Sequence, residues 1–139
     1  MSKRLREPAK NNGQRIKAQP VPSVAPQQMR PKFSLEHLRK SHCLSSCTKD
    51  EKAALADRMH ELSQLTWQQI AQAPKGGQGS EIISRNSIGE ETIPSVITED
   101  TNIIAFRFSG KAPMVGYREA EVFHIVWLDR AFNLYDHGP

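Results

Sequence analysis

At 139 residues, 37% of them hydrophobic, the chain has apolar material for one core and too little for a second domain of ordinary size. No apolar run approaches the roughly 20 residues of a spanning helix, the start lacks the apolar centre of a secretory signal, and two cysteines do not make a disulfide framework, so a reduced, cytoplasmic protein without a membrane segment is expected. The net charge of +4 is unevenly divided: residues 1–32 carry eight basic residues against Glu7 alone, a net +7, whereas residues 33–139 carry 11 basic and 14 acidic residues, a net −3.

The first 32 residues contain Pro8, Pro20, Pro22, Pro26 and Pro31, repeated Gln and Asn, and few large apolar side chains, a composition that cannot offset the entropy of ordering. They read as a disordered basic arm, with Lys3, Arg4 and Arg6 as candidate nucleic-acid contacts, because a mobile cationic segment gains most from a polyanion. A single α+β domain is expected over residues 33–139. It opens at Phe33 with a short strand, since Phe33, Leu35 and His37 alternate, although Leu35 and Leu38 also suit a helical turn.

A helix follows with a capping box at Thr48 and Glu51 and an apolar stripe through Leu55, Met59, Leu62 and Leu65. Thr66 and Gln69 repeat the start signal, Trp67, Ile70 and Ala71 supply a second apolar face, and Pro74 with the glycines after it ends the run. The remaining strand-like segments are EIIS from Glu81, NIIAFRFSG, PMVGYRE, EVFHIVWLD and FNLY, the longer ones joined as hairpins near Gly110 and Ala120. The expected architecture is a helical hairpin packed on a small antiparallel sheet. The acidic connection from Pro74 to Thr101 reads as a surface loop, with a lid or an internal mimic of an acidic partner as alternatives.

Alternation in the last strands sets Arg107, Arg118, His124 and Arg130 among apolar residues, so a sheet would bury one face and offer cations on the other. His124 is expected to share a face with Val122, Val126 and Leu128, as a core histidine rather than a catalytic one. His37, His42, Cys43 and Cys47 are four donors in eleven residues, but without paired CxxC or HxxxH spacing they do not make a zinc site, and no metal or other cofactor is expected. Gly76, Gly77 and Gly79 lack the Lys-Ser/Thr pair of a phosphate loop.

The element order, the strand Phe106–Arg107–Phe108, the step Gly116–Tyr117–Arg118, and a final apolar strand ending in a basic residue before Tyr135 together resemble the RelE/ParE superfamily of toxins. That resemblance implies a small α+β endoribonuclease of a toxin–antitoxin system, cleaving RNA on the ribosome by 2′-hydroxyl attack, with an antitoxin as inhibitory partner. It implies Arg107, Arg130, Tyr135 and His137 as catalytic residues and Arg118 as an RNA contact. The folded body departs from the pattern in being −3, since ribosome-directed toxins are usually basic. A noncatalytic nucleic-acid- or protein-binding module using the arm and the sheet face is the alternative.

Overall fold

The computed structural model describes residues 24–74 and 79–137. It is an α+β fold: β1 (Lys32–Ser34), α1 (Lys49–Leu62), α2 (Trp67–Gln72), β2 (Glu81–Ile83), β3 (Ile103–Ser109), β4 (Ala112–Glu119) and β5 (Val122–Leu128), with short 3-10 turns between them. The five strands form one sheet in the order β1-β5-β4-β3-β2. It is mixed and not wholly antiparallel. β1 and β5 run parallel, pairing Phe33 with Phe123, because the chain leaves β1 through the helices and returns through the meander.

Both helices begin as expected. The Thr48 and Thr66 hydroxyls accept the amide N–H of Glu51 and Gln69, and the side chains of those residues accept the cap N–H in return. Each box contributes about 1 kcal/mol. The first face of the sheet buries Phe106, Met114, Phe123 and Ile125 against Leu55, Leu62, Trp67 and Ile70 of the helices. The Phe106 and Phe123 rings meet edge to face at 5.2 Å.

The long connection before β3 differs from the expected surface loop. Ile88 and Ile97 plug a second core on the opposite face, against Ile103, Val115, Val126 and Trp127. Arg85 ties this cover together by donating to the carbonyls of Ile97 (3.1 Å) and Thr98 (3.2 Å) and to Glu90 (2.9 Å). With both faces covered the sheet cannot be read as one buried and one cationic face, and near-continuous burial along β4 and β5 follows.

Strict alternation fails in β5. Val115 pairs with Trp127 but Gly116 pairs with Ile125, so Val126 is an extra residue in a β-bulge. The bulge sends Trp127 to the second core with His124 and returns Leu128 to the first, reversing the expected faces for both. Gly116 makes room for it: a Cβ there would lie 1.8 Å from the His124 carbonyl oxygen. FNLY is not a strand but a turn, in which Phe132 has a positive φ of 57°.

Order also begins earlier than Phe33. The Met29 carbonyl accepts the Trp67 amide N–H at 3.0 Å, Gln27 bonds Arg118, and β1 already includes Lys32. Lys3, Arg4 and Arg6 lie outside the described residues. No helix among the described residues is long and apolar enough to cross a membrane.

Candidate functional site

The end of β5 feeds directly into a turn organised by one carboxylate. Asp129 is fully buried, yet it accepts the amide N–H of Asn133 (2.9 Å) and of Leu134 (3.2 Å) and lies 2.9 Å from Nε2 of His137. Burying a carboxylate is tolerable only with such a set of donors. His42, on the 3-10 segment before α1, bonds the Asn133 side chain at 2.8 Å and lies 3.9 Å from Asp129, so two histidines from distant parts of the chain converge on this acid.

The Asp129 carboxylate only accepts, so the proton of the His137 contact sits on Nε2 and leaves Nδ1 with a lone pair when the ring is neutral. Tyr135 stacks on the same imidazole with ring centroids 4.1 Å apart, and Phe132 meets it edge-on at 5.3 Å. The ring is therefore oriented from one edge and sandwiched from two sides, although 23% of its side chain stays exposed.

Tyr135 and His137, with Arg107, Lys111, Pro113, Glu81 and Asp136 among their neighbours, line a hollow of about 400 Å³ at the β3–β4 hairpin end of the sheet. Arg107 lies between Phe106 and Phe108 in β3, and Lys111 occupies the hairpin turn beside Gly110. Neither pairs with an acid among the described residues. The phenol of Tyr135 is pushed up to about 12 by burial first, then by Glu81 and Asp129. It is a donor at neutral pH, not a base.

That displacement makes a prediction for stability. An unfolded tyrosine ionises near 10 while the folded one stays neutral to about 12, so stability attributable to Tyr135 is intact below pH 10 and is lost as pH rises toward 12. Denaturant midpoints measured across that window are expected to fall, and Tyr135→Phe to flatten the fall. Some slope remains in the variant, because burial, Glu119 and Glu36 also raise Tyr117.

Three of the four expected catalytic residues thus come together, and the fourth does not. Arg130 donates from Nε to Glu51 at 2.7 Å, beside the N-terminus of α1, and that bond holds the Glu51 carboxyl below its ordinary range. Comparison with protein-family models, curated proteins and solved structures finds no match.

Arg118 is engaged within the fold. Its guanidinium lies over the Trp67 ring at 4.4 Å and donates to the Ala120 carbonyl at 2.7 Å, and burial lowers its pKa. The bulk of Trp67 and the short loop before β5 turn it into a lid on the first core. The four donors weighed for zinc separate as well: Cys47 is buried with its thiol pushed up by desolvation, Cys43 has its thiol lowered by Ser45, His42 joins Asn133, and His37 faces His124. Sequence reasoning missed Lys111 and Asp129. Their only signals were a hairpin-turn cation and an acid directly after an apolar strand.

Proposed function

We propose that the chain is a toxin-like endoribonuclease that cleaves RNA by attack of a 2′-hydroxyl on the adjacent phosphorus. What carries this reading is the hollow that gathers an acid-oriented imidazole, a neutral phenol and two cations that pair with no acid among the described residues, drawn from β3, the following turn and the C-terminal loop. In the proposed reaction His137 Nδ1 takes the 2′-hydroxyl proton as the oxygen attacks phosphorus. Tyr135 donates to the departing 5′-oxygen, and Arg107 and Lys111 hold the charge on the nonbridging oxygens. Asp129 steadies the imidazolium through Nε2. The products are a 2′,3′-cyclic phosphate and a 5′-hydroxyl, with every proton accounted for.

The RelE-like resemblance supports the same reading from its own pattern of residues. The basic arm supplies further phosphate contacts, the compartment is the cytoplasm, and an antitoxin protein is the expected inhibitory partner.

The test is inducible expression in bacteria together with purified protein and single-stranded RNA, with and without ribosomes. Growth arrest and fragments ending in cyclic phosphate are expected, both abolished in Arg107→Ala/Lys111→Ala and both retained in Arg130→Ala. Normal growth with intact RNA in both assays would overturn the enzyme and leave a binding module.

A further inference from the structure

At the other end of β4 from the hollow, a second group of chemistry-bearing side chains meets. Glu36 and His37 stand on the turn directly after β1, and His124 stands on β5, where the parallel register sets it beside Ser34. One ligand atom from each of the three lies within 4.8 Å of the others. The His37 and His124 rings are 5.4 Å apart, and Tyr117 stacks on His124 at 4.7 Å with an interplanar angle of 16°.

His124 is only 7% exposed, and its Nδ1 has no hydrogen-bond partner among the described residues. Its Nε2 lies 3.1 Å from the Glu119 carboxylate. A carboxylate accepts and never donates, so Nε2 carries the proton and the neutral ring keeps an unused lone pair on buried Nδ1. A buried acceptor without a donor is costly unless something supplies the missing partner. Carboxylate to imidazole to cation is the arrangement by which metal-binding histidines are oriented.

We propose that Glu36, His37 and His124 form a binding site for a divalent transition-metal ion of the zinc class, with Glu119 as the outer carboxylate that orients His124. Two imidazoles and one carboxylate suit a borderline ion, and three protein ligands leave a fourth position for water. Donor atoms around a tetrahedral zinc ion lie about 3.3 Å apart, given metal–nitrogen bonds of about 2.0–2.1 Å. The 4.8 Å cluster therefore has to close, and its outer members can move: the Glu36 side chain is 73% exposed and the His37 side chain 29%. His124, buried and stacked on Tyr117, is the fixed member. The bound ion clamps the turn after β1 onto the sheet, pinning the short parallel strand at its edge.

Chelator-stripped, untagged full-length protein titrated with ZnCl2 by calorimetry tests the site, with Co²⁺ visible absorption as a direct report of ligation. One ion per chain is expected, with cobalt bands in the visible and a rise in Tm of roughly 5–10 °C at saturating zinc. His37→Gln, on the accessible side of the cluster, is expected to lower affinity at least tenfold while remaining folded by circular dichroism, and His60→Gln on α1 to leave binding unchanged. His124→Gln is expected to lose binding too, but His37→Gln decides the matter if that buried variant fails to fold. No stoichiometric uptake by the wild type, uptake undiminished in His37→Gln, or loss only on replacing His42 or Cys47 would each overturn the site.

Discussion

His137→Gln is expected to slow RNA cleavage by about 10²–10⁴-fold, the usual contribution of a positioned general base. Glutamine keeps a polar group of similar reach near Asp129 and cannot take a proton, so the loss falls on the chemical step. The Asp129 contact at 2.9 Å predicts a stability cost of only about 1–2 kcal/mol. A substrate with an activated leaving group separates this residue from Tyr135. A good leaving group needs no acid, so the defect of Tyr135→Phe should shrink on it while that of His137→Gln persists. Equal persistence of both defects, or an undiminished rate in His137→Gln, would remove the imidazole from the role of base.

Gly116→Ala is expected to be the most damaging small substitution to stability. The new Cβ would stand 1.8 Å from the His124 carbonyl oxygen and 3.1 Å from Ile125 Cα, both backbone atoms that no side-chain rotation can move. Relief requires β4 and β5 to part at the bulge, which also breaks the face assignment of Trp127 and Leu128. A loss above about 4 kcal/mol is expected, a large share of the roughly 5–15 kcal/mol that holds a domain of this size together. Gly110→Ala is the control: its φ is +57°, but nothing lies within 4 Å, so only the left-handed backbone costs, about 1–2 kcal/mol. Urea midpoints for the two variants check this, and a Gly116→Ala midpoint matching that of Gly110→Ala would refute the steric argument.

The two ends of the sheet divide the labour of the fold. The hairpin end of β3 and β4 carries the hollow, and the C-terminal loop is bent over it by Asp129, with Arg58 of α1 anchoring the strand beneath through the Arg107 carbonyl at 2.7 Å. The opposite end carries the imidazole and carboxylate cluster beside β1. A substitution at one end should leave the other's behaviour intact, because the bulge and the two cores lie between them.

Local chemistry determined much of this protein from its sequence alone. Both capping boxes, the stripe of Leu55 and Leu62, the end of α2 before Pro74, the strand at Glu81 and the two hairpin turns depend on residues within a few positions of one another, so spacing reveals them. The resemblance named Arg107, Tyr135 and His137 together, and the fold sets these three around one hollow. Tertiary structure decided the rest. The parallel partnership of β1 with β5 joins residues some ninety positions apart, and the bulge at Val126 exists because Gly116 lies across from it, so neither has a local signature. The removal of Arg130 to Glu51 and of Arg118 to Trp67 follows from which partner each cation finds in space, and a strand pattern records only the face on which a side chain starts. Ile88 and Ile97 looked like loop residues because their apolar neighbours arrive only when the connection folds back across the sheet.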